Sequence, residues 1–233
     1  MNGLLLMLIS SAHASPLLEF DFATDDGGLT TLSNLQWAWG VPTSGPGASE
    51  ALDPVWGTQL GGNYLNDASD SLQLPPSDLS NASRVAMAIT HWYEMDETGD
   101  GDFGWLETQV DGEWVPVTPA YGYPSAGGFS GSSDGWQTDW FVFDEIADAS
   151  DIRLSFAADP LISRSGWYIQ SIDIQEGDPI PPRIQDVEPP TDVQDVIGPY
   201  SVRATILDDF LLTEVTLHWS VDGAASKSTD MTA

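Results

Sequence analysis

The chain has 233 residues, with 36 Asp and Glu against 6 Lys and Arg, a formal net charge of −30, and no cysteine. Without cysteine there is neither a disulfide framework nor a thiolate metal site, and so acidic a surface repels a nucleic-acid backbone. Hydrophobic residues make up 41% of the sequence and aromatic residues 10%, so the chain can build a core. We therefore expect a globular protein that does not bind nucleic acid.

Most of the acidic residues are Asp, at 26 Asp against 10 Glu. Asp favours turns and loops that bind hard cations, whereas Glu favours helix interiors. The bias favours strands joined by Asp-rich turns. Two settings would tolerate the charge: a salt-rich medium that screens it, or an extracellular medium in which millimolar Ca²⁺ neutralises carboxylates.

The first 14 residues have the pattern of a signal peptide. An apolar run from Leu4 to Ile9 is followed by two serines and by the small-residue site Ala12-His13-Ala14, after which we predict cleavage. The alternative is an N-terminal strand of the folded protein. No later stretch approaches the roughly 18–20 apolar residues of a membrane helix, so we expect a secreted chain without a membrane span.

Short segments with a period of two succeed one another from residue 15 onward. The clearest covers residues 85–93, and residues 105–110 and 114–117 are predicted to form a hairpin around Asp111-Gly112. Further strands are predicted within 152–174. Because no segment of ten or more residues has a convincing helical period, the sequence predicts an all-β fold, a jelly-roll β-sandwich that covers residues 15–178.

A Pro-dense segment then divides the chain. Pro179, Pro181 and Pro182 cannot continue a sheet. We therefore predict a stiff linker at residues 179–190, which separates the sandwich from a second domain.

The second domain is predicted to be an incomplete immunoglobulin-like β-sandwich at residues 191–233. Strands are predicted at 200–207 and 215–221, with Asp222-Gly223 as the next turn. An immunoglobulin-like sandwich needs roughly 100 residues, about twice the length of the chain beyond the linker. We therefore expect the chain to be a fragment of a longer protein; the alternative is that the last strands of this domain come from elsewhere.

Ordered aromatic motifs give the chain a resemblance to a known module. They include Trp37-Ala38-Trp39-Gly40, Val55-Trp56-Gly57-Thr58, His91-Trp92-Tyr93-Glu94 and Gly166-Trp167-Tyr168-Ile169. Over residues 17–176 the chain resembles the jelly-roll module that accompanies immune inhibitor A-type metallopeptidases, bacillopeptidase F-like proteases and large surface proteins of bacteria. That module is similar in fold to MAM adhesion domains. The final motif usually continues with two Asp, where this chain has Gln and Ser.

The resemblance implies a non-catalytic accessory or adhesion module of a larger secreted or cell-surface protein. The residues agree, because H-E-x-x-H is absent and His13, His91 and His218 are isolated. A glycosidase pair would need Glu94 and Glu107 to face each other across a cleft. Two alternatives stay open: a carbohydrate-binding module, and the accessory region of a secreted metallopeptidase whose catalytic domain lies outside this chain. The expected partner is an extracellular protein or a glycan.

One candidate calcium site is the acidic segment that begins at Asp96. Read against the twelve-residue EF-hand loop, residues 96–107 place acids at positions 1, 5, 7 and 12 and Gly at position 6. The flanks are strand-like, so we expect a calcium-dependent turn that uses Asp96, Asp100 and Asp102 rather than an EF-hand. The alternative is a solvated acidic turn.

A second candidate arises from the resemblance, since jelly-roll modules often carry a structural Ca²⁺ where the first and last strands meet. Glu19 and Asp21 begin this domain on one face of a strand, and Asp173 ends it. Ordinary outward-facing carboxylates are the alternative. In either site the ion would be structural, because it would bind only the folded state and stabilise it by mass action.

Exposed aromatic residues are the candidate ligand surface. Trp136 and Trp140 are four residues apart in a predicted strand and so share a face, and Tyr121 and Tyr123 precede them in a Gly-rich loop. Trp faces suit the stacking of sugar rings. The sequence therefore predicts a glycan-binding surface here, with burial in the core as the alternative.

Overall fold

The computed structural model describes residues 4–7, 14–33, 36–48, 53–79, 82–98, 101–143, 151–188, 201–209, 215–219 and 227–231 of the chain. The chain forms two compact units, one of residues Ala14–Gly177 and the other of Met1–His13 with Asp178–Ala233. Of the described residues, none belongs to a helix long and apolar enough to cross a membrane.

The described secondary structure is almost entirely β, as the alternating pattern predicted. One short 3₁₀ turn covers Gly45–Ala48. The strands are β1 (Leu4–Met7), β2 (Ser15–Asp21), β3 (Thr30–Thr31), β4 (Ala38–Gly40), β5 (Val55–Gly57), β6 (Ala68–Gln73), β7 (Val85–Glu94), β8 (Phe103–Val110), β9 (Glu113–Val117), β10 (Gln137–Phe143), β11 (Ile152–Ala158), β12 (Gly166–Glu176), β13 (Arg183–Glu188), β14 (Arg203–Leu207), β15 (Thr216–Trp219) and β16 (Lys227–Asp230).

Residues 14–177 form an antiparallel β-sandwich, which confirms the predicted all-β fold. The larger sheet has the strand order β10-β7-β12-β5-β4, and β2 also pairs with β12. Along β12, Tyr168 and Ile169 pair with β5, whereas Ser171–Glu176 pair with β2. The smaller sheet has the order β3-β6-β11-β8-β9.

The core lies between the two sheets. In β7, Val85, Met87 and Ile89 point inward and are fully buried, as the period of two predicted. Each such side chain contributes roughly 1.5–3 kcal/mol by burial. Trp167 lies at the centre of the core, and a Cβ at Gly104 would stand 2.5 Å from its ring, so only glycine permits this approach.

The hairpin predicted around Asp111-Gly112 is confirmed. Both turn residues have positive φ, 52° for Asp111 and 86° for Gly112. This is the backbone conformation of a type I′ turn, whose twist matches that of the two flanking strands. The turn sets the β8–β9 register, in which Gln109 lies opposite Trp114.

The second unit contains two small antiparallel sheets, β1-β15-β16 and β13-β14. The structure departs from the predicted linker of residues 179–190, because Arg183–Glu188 form β13 and pair with β14. Past Pro182 the backbone again has N–H groups to donate, so a strand can form. The predicted turn at Asp222-Gly223 lies outside the described residues.

The N-terminal segment pairs with the second unit in the uncleaved chain. Leu4–Met7 form β1, which runs antiparallel to β15 with Leu4 opposite Trp219. This matches the alternative of an N-terminal strand. Cleavage after Ala14 stays a prediction, and most of the predicted signal peptide lies outside the described residues.

Candidate functional site

The predicted calcium-binding turn is held by hydrogen bonds within the protein. Asp102 is buried; one of its carboxylate oxygens accepts from the Tyr64 hydroxyl, and the other accepts from the backbone N–H of Asp159 at 2.7 Å. The Tyr64 oxygen in turn accepts from the backbone N–H of Asp96 at 3.1 Å. Burial raises the pKa of Asp102, although these hydrogen bonds oppose the shift.

Asp96 also points into the fold. Its carboxylate accepts from the hydroxyl and the backbone N–H of Thr98, and it lies 3.6 Å from a guanidinium nitrogen of Arg164. The Thr98 hydroxyl is the main cause that holds the pKa of Asp96 below its usual range. Both described carboxylates thus anchor the turn, while Asp100 lies outside the described residues. Calcium binding here stays a prediction.

The second predicted set shares one face of the larger sheet. In the β2–β12 register Glu19 lies directly opposite Asp173, and Asp21 lies opposite Ser171. Ile172 points into the core, so Asp173 points outward. Partial burial raises the pKa of Asp173, and the negative charges of Glu19 and Asp21 raise it further.

An open acidic cleft of about 660 Å³ adjoins these strands. It is lined by Glu19, Asp21, Asp25 and Asp26 together with Phe20, Thr24 and two glycines. Asp25 and Asp26 each accept one backbone N–H, from Gly27 at 2.8 Å and from Gly28 at 2.9 Å. The lining residues include four carboxylates and no basic group, so the cleft attracts cations.

The predicted aromatic surface is only partly assembled. Phe141 and Phe143 of β10 are buried in the core, so Trp140 lies on the opposite, outer face of the sheet. Trp136, which precedes β10, is also half-buried. Tyr121 is half-buried in the preceding loop.

Tyr123 is partly buried and packs against the core. Its hydroxyl donates to the carbonyl of Val117 at 2.7 Å and accepts from the N–H of Leu106 at 3.0 Å. Its ring packs against Phe129 and Phe141, with ring centroids 4.9 and 6.3 Å away. The Gly-rich loop thus holds this side chain against the core.

One row of the larger sheet combines the two predicted surfaces. Across neighbouring strands, Trp140 lies opposite Ala88, Ala88 opposite Asp173, and Asp173 opposite Glu19. Because these positions share the outer face, an aromatic side chain and two carboxylates flank a small residue. This row could not be predicted from the sequence, because its residues come from four strands whose pairing sets the row.

His91 is fully buried, so it cannot contact a substrate. The indole N–H of Trp167 donates to its Nδ1 at 2.8 Å, which leaves Nε2 to carry the proton and donate to Asp139 at 2.9 Å. Burial lowers the pKa of His91, although Asp139 opposes the shift. The imidazole is a neutral part of the core.

Glu94 and Glu107 do not form a facing pair. They lie on β7 and β8, which belong to different sheets. Glu94 accepts from the hydroxyl of Ser165 at 2.7 Å. Burial opposes the ionisation of Glu107, but hydrogen bonds from Arg153 at 2.6 Å and Ser155 at 2.5 Å hold its pKa below its usual value. Each carboxylate is thus held by donors from its own surroundings.

The second unit contains an acidic cluster that was not predicted from the sequence. Carboxylate oxygens of Asp178, Asp208 and Asp209 all lie within 4.8 Å of one another. In the described part of the chain, no other set of three His, Cys, Asp or Glu side chains comes this close together. Asp208 and Asp209 are adjacent in the sequence. Asp178, thirty residues earlier, gave no signal that it joins them.

Comparison with known proteins relates the chain to part of a longer one. It is 28% identical over 159 residues to bacillopeptidase F of Bacillus subtilis (strain 168). This similarity covers 67% of the chain but only 10% of bacillopeptidase F.

A match is also found among solved structures. The K1 cleaved adhesin domain of Lys-gingipain from Porphyromonas gingivalis W83 matches with a TM-score of 0.37 and 14% identity, over 68% of this chain and 95% of the domain. No protein-family model matches the chain. The resemblance to the MAM-like module therefore stays a prediction.

Proposed function

We propose that this chain is a non-catalytic accessory module of a larger extracellular protein, and that its β-sandwich docks or spaces that protein. The observation that carries the proposal is the similarity to bacillopeptidase F, which involves 159 residues and one tenth of that protein. A segment of this size is close to the sandwich unit alone, residues 14–177. The shared part is therefore one module of a much longer chain.

The acidic face of the sandwich supports a role for calcium in the module. Glu19, Asp21 and Asp173 carry like charges on one face beside a cleft that also contains Asp25 and Asp26. Carboxylates are the ligands that Ca²⁺ prefers, and an ion at this face would relieve their repulsion. In this proposal Ca²⁺ is structural and stabilises the folded sandwich.

A fusion of residues 15–233 to a fluorescent reporter tests the docking role. The fusion should be retained on the surface of the cells that secrete the chain, or on their extracellular matrix, while the reporter alone washes off. Retention of the unaltered fusion should weaken in EDTA, whereas a fusion with Asp173→Asn should be retained to a similar extent in EDTA and in calcium. Turnover of peptide or glycoside substrates by the purified chain would contradict the proposal.

A second candidate function is glycan binding, favoured by the row that contains Trp140. Trp140 lies on the outer face, and Asp173 and Glu19 come next in the same row, so a sugar ring could stack on the indole while its hydroxyls donate to carboxylates. Glycan-array binding should be lost in Trp140→Ala and kept in the neighbouring variant Thr138→Ala. Equal binding by both variants would exclude this surface.

A third candidate makes the host protein a metallopeptidase with its catalytic domain outside this chain. The observation behind it is the name of the relative, a peptidase of which this chain covers a tenth. Sequencing the gene beyond both ends of this chain tests it. An H-E-x-x-H motif in the flanking sequence would support this candidate, and a full gene without it would exclude a zinc peptidase of that type.

A further inference from the structure

The strongest unassigned feature of the molecule is the group of Asp178, Asp208 and Asp209, here named the Asp178 cluster. Asp178 is the first residue of the second unit's C-terminal part, and Asp208 and Asp209 directly follow β14. Carboxylate oxygens of the three residues lie within 4.8 Å of one another. Asp178 is buried and the other two residues are half-buried.

Asp208 is the member of this cluster whose carboxylate lacks a partner among the described residues. Both of its carboxylate oxygens expose less than 1 Å² to solvent, and neither has a hydrogen-bond partner. A carboxylate removed from water without compensation is strongly disfavoured. The carboxylate of Asp208 is therefore buried toward two other acids, with no donor from the described part of the chain to compensate it.

Buried carboxylates of the sandwich show how this chain otherwise satisfies such groups. Asp102 accepts from Tyr64 and from the N–H of Asp159, and Glu107 accepts from Arg153 and Ser155. Each of these acids is matched by donors from neighbouring strands or loops. Asp208 differs from them, so its missing partner is expected to come from outside the protein.

The geometry fits a calcium ion. Ca²⁺ binds oxygen ligands at 2.3–2.6 Å, so two oxygens on one ion can stand up to about 5 Å apart, which the 4.8 Å limit satisfies. Mg²⁺ requires shorter, near-octahedral bonds at about 2.0–2.1 Å and keeps more of its water. We propose that the Asp178 cluster binds one Ca²⁺ through Asp178, Asp208 and Asp209, with water or backbone carbonyls as further ligands.

Such an ion would fasten the segment before β13 to the end of β14. Asp178 precedes Pro179 and the Pro-rich segment, which makes no ladder with β14 until Arg183 pairs with Leu207. Calcium would thus supply a link at a point where the described backbone has no strand pairing. This site uses none of the residues Glu19, Asp21 and Asp173. The calcium proposal for the Asp178 cluster can therefore fail while the proposed function holds.

Calcium titration of the full chain, followed by calorimetry, tests the proposal. Asp208→Asn should remove one bound ion from the stoichiometry. The matched control is Asp186→Asn, which makes the same change at an exposed position of β13 where φ is 51°, a conformation that Asn tolerates. It should leave the stoichiometry unchanged.

Two further measurements keep the test decisive if Asp208→Asn folds poorly. Asp209→Asn leaves two carboxylates and should weaken the affinity of this site at least about tenfold. In the unaltered chain, calcium should shift the NMR amide signals of residues 201–209. Thermal unfolding without calcium should show Asp208→Asn to be at least as stable as the unaltered chain, because the substitution removes a repelling charge.

Three results would overturn the proposal. The first is an unchanged number of bound ions and unchanged affinity in both Asp208→Asn and Asp209→Asn. The second is equal binding of Mg²⁺ at matched ionic strength. The third is an absence of calcium-induced shifts at residues 201–209 together with stabilisation by mild acid, which would mean that a proton neutralises the cluster.

Discussion

The two units of this chain use the same strand pattern with different results. In the sandwich, every second residue of β7 and β12 enters a core shared by two sheets, and large side chains such as Trp167 are fully buried. In the second unit, β14 alternates between exposed and half-buried positions. Among its described residues, the buried apolar side chains are those of Ile180 and Leu217, which are 2% and 9% exposed.

Alternation of apolar and polar residues therefore predicts a strand but does not by itself supply a core. A sheet stabilises a domain only when its apolar face packs against a second layer. The sandwich has that layer, so apolar burial dominates its stability. The described part of the second unit shows little apolar burial, so a calcium ion bound as proposed at the Asp178 cluster would contribute a larger share of its stability.

The largest expected effect tests whether the two cores differ as described. Ile172→Ala removes a fully buried side chain of β12 and should cost about 2–5 kcal/mol in the free energy of unfolding. Ile206→Ala makes the same change at a half-buried position of β14 and should cost less than half as much. Urea unfolding, followed by NMR signals of the unit that carries the substitution, measures both.

Equal losses of free energy in Ile206→Ala and Ile172→Ala would contradict this difference between the two units. Such a result would mean that residues outside the described ranges complete a dense core around β14.

The next effect concerns a polar link inside the sandwich. Tyr64→Phe removes the hydroxyl that donates to buried Asp102 and accepts from the N–H of Asp96, and it should cost about 1–3 kcal/mol. Urea unfolding measures the loss. In a double-mutant cycle with Asp102→Asn, a coupling energy near zero would show that the hydrogen bond contributes nothing.

Below about pH 6.5, buried His91 should make the free energy of unfolding of the sandwich depend on pH. Its pKa is lowered in the fold, so the unfolded chain takes up the proton first, near pH 6.5. Stability from this group is present above pH 6.5 and falls as the pH drops, by at most about 1.4 kcal/mol per pH unit. Unfolding of His91→Gln should lose this slope, whereas an unchanged slope would assign it to other groups.

The smallest effect concerns the acidic face of the sandwich. Without calcium, Asp173→Asn should raise the melting temperature by about 2–4 °C, because it removes a partly buried charge beside Glu19 and Asp21. It should also reduce the further rise that Ca²⁺ causes. Differential scanning calorimetry in EDTA and in calcium measures both shifts, with the exposed variant Asp53→Asn as control. Equal behaviour of the two variants would leave only general charge screening.

Local features of the fold could be predicted from the sequence. The Asp111-Gly112 turn and the inward face of β7 depend on residues that are neighbours in the chain. Features that depend on distant residues could not. From its own segment, Asp102 is predicted to be a cation ligand. Nothing in that segment indicates that Tyr64, 38 residues away, donates to the Asp102 carboxylate.

The same reason explains the two outcomes for the candidate binding residues. Tyr123 was predicted to lie on an exposed aromatic surface. Its loop packs it against Val117 and Phe141, contacts that the loop composition alone does not reveal. The Asp178 cluster joins residues thirty positions apart. In each case the decisive contact is set by how the strands and loops pack in three dimensions.

The few basic residues of this chain have a consequence for proteolysis. Within residues 14–177 the possible trypsin sites are Arg84, Arg153 and Arg164. Arg84 is held to Gly177 by side-chain and backbone hydrogen bonds, and Arg153 lies in β11. The carbonyl of Arg164 accepts from the N–H of Tyr64. Arg164 is exposed, and so are Arg183, Arg203 and Lys227 in the second unit. Brief trypsin treatment of the native protein should therefore trim the second unit, and a cut inside the sandwich should fall at Arg164 rather than at Arg84 or Arg153.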